Sequence, residues 1–116
     1  MIEKIISDYL KTALSPTMVT TELRQGMPSS FIFIEKTGSS QNDKLYHATF
    51  AVQSYGASLY EAMTLNHSVK EAMLGAVSLP EVTRVELNSD YNYTDQKTKQ
   101  PRYQAVFDIT HSTTSL

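Results

Sequence analysis

Apolar residues near the start of the chain recur at intervals of three and four, the spacing that lines one face of an α-helix. Charged and hydroxyl side chains occupy most positions between them. Ser15 and Pro16 end the pattern, because the residue before a proline disfavours the α conformation. The sequence therefore predicts an N-terminal amphipathic helix whose apolar face consists of Ile2, Ile5, Ile6, Tyr9, Leu10, Ala13 and Leu14.

Three runs after this helix have the pattern of β-strands. Residues 17–23 are rich in Thr and Val, residues 30–36 are dense in β-branched and aromatic side chains, and residues 44–55 alternate in polarity. The consecutive apolar residues 31–34 predict that both faces of the second strand meet apolar neighbours. Residues 37–43 are polar and rich in Gly and Ser, so they predict a loop at the tip of a hairpin.

A second helix is predicted to begin at Ser58. Ser58 and Glu61 have the spacing of a capping box, in which the hydroxyl and the carboxylate each satisfy a free backbone N–H. Leu79 and Pro80 close the segment. The face of this helix that is predicted to cover the sheet consists of Ala62, Leu65, Val69, Ala72, Met73 and Ala76.

Two further strands complete the pattern. Residues 82–93 alternate weakly and predict a strand with an irregular middle at residues 88–90. Residues 94–101 form a polar loop, and residues 102–110 form the last strand, followed by a polar tail from His111. The predicted order is α-β-β-β-α-β-β. This order indicates one α+β domain over residues 1–116, with a mixed or antiparallel sheet of about five strands and both helices on one face.

Composition narrows the function classes. Hydrophobic residues make up 41% of the chain, enough for one modest core, and 12 acidic against 10 basic residues give a net charge of −2. This balance disfavours a protein whose main task is to grip nucleic acid. The chain has no cysteine, so it can form neither disulfides nor Cys-based metal sites. Charged residues interrupt the N-terminal apolar run, and no segment approaches the ~20 apolar residues of a membrane span.

Motifs for chemistry are missing from the sequence. His67 and Glu71 are separated by four residues, a spacing that more often stabilises a solvated helix face than binds a metal. No serine lies in a nucleophile elbow, and the four glycines form no phosphate-binding loop. We therefore predict no catalytic, metal-binding or cofactor-binding residues, and a protein that is not an enzyme.

Two groups of residues are candidates for contacts with partners. Tyr91 and Tyr93 share a strand face beside polar residues, and amphipathic aromatics are enriched in interfaces. A lid over the edge of the core is an equally good interpretation. Lys97, Lys99 and Arg102 form a short basic cluster, which suits a solvated turn better than a contact with an acidic partner or DNA.

The sheet itself offers a third candidate. An open sheet leaves unpaired backbone groups at its edges. The long strand at residues 44–55 and the loops are predicted to pair with neighbouring copies, as head-to-tail contacts do in a closed ring.

The order and spacing of four stretches resemble the tail terminator, or tail-completion, proteins of long non-contractile-tailed bacteriophages. The stretches are the N-terminal amphipathic helix, GMPSSFIFIEKTG at 26–38, VQSYGASLYEA at 52–62 and PRYQAVFDI at 101–109. The resemblance implies a six-membered ring on the last ring of the tail tube. Such a ring stops tail growth and presents an interface for head–tail joining, while DNA passes through its centre.

The resemblance also implies the partners and the place of action. These are further copies of the same chain (monomeric before assembly in some members), the tail tube protein and the head–tail connector protein, with no membrane and no cofactor. The protein is expected at the head-proximal end of the virion tail, after assembly in the host cytoplasm. By position, residues 36–44 form the loop that orders on contact with the tube, which makes interface candidates of Lys36, Asn42, Asp43 and Lys44.

Two other interpretations stay open. The chain has the features of another neck or head–tail connector protein of the same machinery. It also suits a dimeric cytoplasmic domain that binds a small ligand on its sheet face. Rings that form with rising concentration favour the phage proteins, whereas a defined dimer with an apolar pocket favours the ligand-binding domain.

Overall fold

The computed structural model describes residues 1–112 and confirms the predicted α+β class and element order. The strands form one five-stranded sheet in the order β1-β2-β3-β5-β4. A 3-10 turn at Ala76–Ser78 extends the second helix. The elements are α1 (Ile2–Ala13), β1 (Val19–Thr20), β2 (Phe31–Asn42), β3 (Leu45–Tyr55), α2 (Leu59–Gly75), β4 (Val82–Asn92) and β5 (Arg102–His111).

The long strands pair antiparallel with one another, and the short β1 pairs parallel with β2. β3 lies at the centre, with β2 on one side and β5 on the other. The prediction that the strand at 44–55 pairs with neighbouring copies is therefore wrong, because its backbone groups are already used on both sides. The long strands with a free edge are β2 and β4.

Both helices cover the same face of the sheet, as predicted. Phe50 of β3 and Phe107 of β5 are direct cross-strand partners at the centre of this face, and both are fully buried. From α1, Ile2, Ile6 and Leu10 pack onto them, and Val69 and Met73 do so from α2. The Tyr9 hydroxyl also ties α1 to α2 by donating to the carbonyl oxygen of Ala72 at 2.7 Å.

The start of α2 is fixed by side-chain capping and by a close backbone approach. The backbone N–H of Glu61 donates to Ser58 Oγ at 3.2 Å, which is the predicted serine half of the capping box. The Glu61 carboxylate accepts from Ser30 Oγ at 3.1 Å, so it links the helix start to the beginning of β2. Gly56 lies beneath this first turn, where an added Cβ would stand 2.5 Å from the backbone nitrogen of Ala62.

Two local predictions around β2 are wrong. The strand predicted at 17–23 is reduced to Val19–Thr20, after which the chain leaves the sheet. The loop predicted at 37–43 is strand, since β2 stays paired with β3 as far as Asn42 opposite Leu45, past a register shift between Lys36 and Gly38. Small polar residues have weak strand propensity, but pairing along a preformed neighbour overrides it.

The C-terminal strands match the prediction more closely. The irregular middle of β4 is confirmed as a register shift between Leu87 and Ser89. β5 runs one residue further than predicted, to His111, which is buried and stacks on Tyr46 at 5.6 Å between ring centroids. His111 therefore belongs to the sheet and not to a polar tail. Ser112 follows it and its backbone N–H donates to the carbonyl oxygen of Glu81 at 2.9 Å, and the predicted tail residues 113–116 lie outside the described residues.

Candidate assembly surfaces

The tip of the β2–β3 hairpin carries three of the nine predicted interface residues. Asn42, Asp43 and Lys44 are all exposed. Asp43 and Lys44 form a two-residue turn with φ of 49° and 68°, the left-handed values that match the twist of a hairpin. The tip therefore presents one carboxylate and one ammonium group at the end of a regular two-stranded arm.

Lys36 does not lie at this tip. Its side chain points to the helix side of β2, where Nζ lies 2.8 Å from the Glu3 carboxylate at the start of α1. The hydrogen bond from Lys36 is the main cause that lowers the pKa of Glu3, against an opposing effect of desolvation. Lys36 thus fastens α1 to the sheet.

The opposite end of the sheet gathers Tyr91, Tyr93 and Arg102 on the face that the helices leave open. The Arg102 guanidinium lies 4.4 Å from the ring centroid of Tyr93, and its Nη1 donates to the Tyr55 hydroxyl at 3.0 Å. The rings of Tyr91 and Tyr93 meet edge to face at 5.9 Å. Such stacking holds a cation and rings in fixed positions. We call this group, with Tyr55 and Phe31, the aromatic end.

A row of hydrogen bonds extends the aromatic end across the sheet. Gln53 Nε2 donates to Gln104 Oε1 at 2.9 Å, and Gln104 Nε2 donates to the Tyr91 hydroxyl at 2.6 Å. The Tyr55 hydroxyl donates to Gln53 Oε1 at 3.0 Å, and its ring stacks on Phe31 at 4.4 Å. Sequence reasoning missed Tyr55 and Phe31, although strand alternation alone places Tyr55 on the face opposite Phe50 and Val52.

Lys97 and Lys99 lie in the loop between β4 and β5, next to the aromatic end. Asp95 organises this loop, because its carboxylate accepts from the Lys97 N–H and its carbonyl oxygen accepts from the Lys99 N–H, each at 2.8 Å. Backbone donation from Lys97 is the main cause that lowers the pKa of Asp95. Both lysine side chains are exposed. Of the nine predicted residues, five thus cluster at the aromatic end, three at the hairpin tip, and Lys36 at neither.

The two free sheet edges differ in character. β1 pairs with Ile32 and Phe33, and in the described part of the chain no strand lies along the outer edge of β2, on the side away from β3, from Ile34 onward. The far half of this edge, Thr37 to Asn42, carries no charge and no proline. The β4 edge has two register shifts and an exposed Arg84–Glu86 ion pair of 3.0 Å. Charges and bulges are the usual protection of free edges, so the β2 edge is the less protected one.

A polar contact between α2 and β4 positions the irregular middle of the edge strand. The Asp90 carboxylate accepts from Lys70 Nζ and from Asn66 Nδ2, each at 2.9 Å. The hydrogen bond from Lys70 is the main cause that lowers the pKa of Asp90, with Asn66 acting in the same direction. This contact holds β4 in place where its register shifts.

We expect Asp90→Asn to lower the free energy of unfolding by about 1 kcal/mol at neutral pH, since the contact is charge-assisted but partly solvated. A carboxyl whose pKa is lower in the folded than in the unfolded chain stabilises the fold above its unfolded pKa of about 3.9. That contribution disappears as the pH falls through the folded pKa. As the pH is lowered below 4, the variant should therefore lose less stability than the parent, as measured by urea unfolding at several pH values.

Asp8→Asn is the matched control, because Asp8 pairs with Lys4 on an exposed helix face and should matter little. Equal effects of the two substitutions would contradict the assignment.

No group of three or more His, Cys, Asp or Glu side chains in residues 1–112 is arranged to hold a metal ion. His67 and Glu71 pair at 2.6 Å on the exposed side of α2. A cleft of 210 Å³ between α1 and β2, lined by Glu3 and Lys36 among others, is open to solvent. No helix within the same residues is long and apolar enough to span a membrane.

Neither a protein-family model nor a curated protein matches this sequence. The structure is similar to a chain from the virion of a native gene transfer agent particle, with a TM-score of 0.67 and 11% sequence identity. The match covers 91% of this chain and 90% of that chain. The two chains share a fold. At this low identity the likeness establishes the architecture, and it does so over almost the whole length of both proteins.

Proposed function

We propose that this protein is a structural virion protein of the tail terminator type, which forms a ring on the end of a phage-like tail tube. The observation that carries the proposal is the nearly end-to-end fold match with a chain of a gene transfer agent virion. The resemblance of the sequence to tail terminators supports the same function. In this function the protein acts by occupying a surface and not by making or breaking bonds.

The sheet topology suggests how copies join. Three successive antiparallel pairings separate β2 from β4, so these two strands run in opposite directions. If the ring axis runs along the strands, rotation about it carries one copy onto the next and keeps the direction of every strand. The β2 edge of one copy and the β4 edge of the next then meet as an antiparallel pair in a head-to-tail contact, the kind that closes rings.

The two ends of the sheet would then form the two rims of the ring. One rim carries the hairpin tip with Asn42, Asp43 and Lys44, and the other carries the aromatic end with Lys97 and Lys99 close by. In this proposal one rim contacts the tail tube protein and the other contacts the head–tail connector protein, while DNA passes through the centre. A ring with two unlike rims stops tube growth because the next tube ring finds no matching surface.

Cross-linking between copies tests this arrangement, and the absence of native cysteine makes introduced thiols unambiguous. We expect Ser39→Cys on β2 together with Glu86→Cys on β4 to give, with a short bismaleimide, a ladder of covalent oligomers that ends at the ring. The control pairs Ser39→Cys with Lys11→Cys on the exposed side of α1, and it should give no ladder. Native mass spectrometry and negative-stain images report rings independently.

Rings without the Ser39–Glu86 ladder would leave the ring function standing and refute the edge contact. A chain that stays monomeric at every concentration, and also after mixing with isolated tail tubes, would refute the ring function itself.

A further inference from the structure

α2 exposes apolar side chains on the side that faces away from the sheet. Tyr60 is 77% exposed and Val77, in the 3-10 turn that extends the helix, is 51% exposed. The exposed apolar residues on this side fall within about one third of the helix circumference at 100° per residue. They are Leu59, Tyr60, Met63, Leu74 and Val77, and we call this set the outer stripe.

The other helix of the same layer shows what an ordinary solvated face looks like in this protein. The outward side of α1 carries Lys4, Asp8 and Lys11, and Lys4 and Asp8 pair at 2.6 Å. A helix that covers a sheet buries one apolar stripe and normally solvates the rest. α2 also exposes apolar side chains, in two groups near its ends with His67 and Lys70 between them, so its outer side is suited to contact with another surface.

The outer stripe is self-complementary when two copies of α2 run antiparallel. Such packing places Met63 opposite Leu74 of the other copy, because their positions are nearly equidistant from the helix centre. Tyr60 and the other Val77 then lie at the same height along the paired helices. At the centre lies the His67–Glu71 pair, so each imidazole comes close to a carboxylate of the other copy. An isologous two-fold contact requires this match of a surface with itself.

The area of the stripe also fits such a contact. Its exposed apolar surface is on the order of 500 Å², at the upper end of the patches on ordinary monomers. Full burial of this surface would supply more than half of the roughly 800 Å² per partner that a standard stable pair buries.

We propose that the outer stripe of α2 binds the same stripe of a second copy, in an antiparallel two-fold dimer. The contact uses the helix layer and leaves both sheet edges free. It is therefore separate from the ring contact and does not depend on it. The dimer is the form that the chain takes when it is not joined to other copies through its sheet edges.

Charge substitutions test the dimer and its direction together. We expect Met63→Lys alone, or Leu74→Glu alone, to weaken dimerisation at least about thirty-fold, because each change places an unpaired charge against an apolar side chain of the other copy. Combining both changes in one chain should restore most of the affinity, because the ammonium group introduced at position 63 then faces the carboxylate introduced at position 74 of the other copy. Analytical ultracentrifugation measures the dissociation constant. Thr12→Lys on the exposed side of α1 is the control and should leave it unchanged.

Cysteine pairs give a second readout that does not depend on affinity. In the variant with Met63→Cys and Leu74→Cys the two thiols are about 16 Å apart along one helix, too far for a disulfide within the chain. We expect oxidation to give covalent dimers and nothing larger. Met63→Cys alone should cross-link poorly, since this residue does not face its own copy.

Three results would overturn the inference. The first is a parent chain without dimers up to millimolar concentration. The second is a dimer whose dissociation constant neither charge substitution alters. The third is efficient cross-linking of Met63→Cys alone. Dimers that persist unchanged in both charge variants would reject the α2 contact and leave the ring function standing, so the two proposals fail separately.

Discussion

Phe107→Ala is expected to lower the free energy of unfolding by about 3–5 kcal/mol, the cost of removing a phenyl ring from a core that cannot collapse around the space. Phe107 is fully buried, lies directly opposite Phe50 and packs under both helices. The loss is a large share of the 5–15 kcal/mol that stabilises a typical domain. Differential scanning calorimetry should show a fall in Tm of about 12–20 °C.

Phe33→Ala is the matched control, because it removes the same group from the other face of the sheet. Phe33 is half-buried and has no helix above it. We expect less than half of the Phe107 effect. Equal losses at the two positions would contradict the view that the main core lies on the helix side, with only the Phe31–Tyr55 stack buried on the other face.

Gly56→Ala is expected to cost about 3 kcal/mol, at the upper end of the range for overpacking. The added Cβ would stand 2.5 Å from the backbone nitrogen of Ala62 and 2.9 Å from the carbonyl oxygen of Ser58. Backbone atoms in the first turn of a capped helix cannot move aside as a flexible side chain can. The substitution should therefore shift α2 relative to β3, and thermal unfolding followed by circular dichroism measures the loss.

Gly38→Ala provides the comparison for this substitution. A Cβ at Gly38 would meet no atom within 4 Å, and the residue lies in the exposed part of β2. We expect a change within about 0.5 kcal/mol, because alanine also restricts the unfolded chain. If Gly56→Ala proved as mild as Gly38→Ala, the first turn of α2 would have to be far more deformable than its capping contacts suggest.

Periodicity in the sequence was enough to predict the class, the element order and most strand positions. The apolar faces of both helices and the alternation along β3 and β5 depend on local spacing, which is visible in one chain. The 37–43 segment was mispredicted because its Gly and Ser residues have loop-like propensity, while its strand state depends on the neighbouring β3. β1 was overpredicted for the opposite reason, since Thr and Val favour strands whether or not a partner continues beside them.

The candidate surfaces were predicted less well. Tyr91 and Tyr93 were predicted to share a strand face, and their rings meet at 5.9 Å. The stacking of Arg102 on Tyr93 was not predicted, because Arg102 was grouped with the lysines of the loop. Lys36 was assigned to the hairpin tip by its position in the sequence, and its pairing with Glu3 on a distant helix has no local signal. The outer stripe of α2 could have been found, since two apolar faces on one helix are visible in the spacing of its residues.

The central place of β3 also affects how the chain emerges from the ribosome. Its partner β2 has already been made when β3 appears, and a two-residue turn joins them. Its other partner β5 ends at His111, 56 residues after Tyr55, which corresponds to several seconds of synthesis at roughly 5–20 residues per second. During that interval Phe50 has no Phe107 beside it, and the strand that is most protected in the finished protein is exposed to other nascent chains and to chaperones.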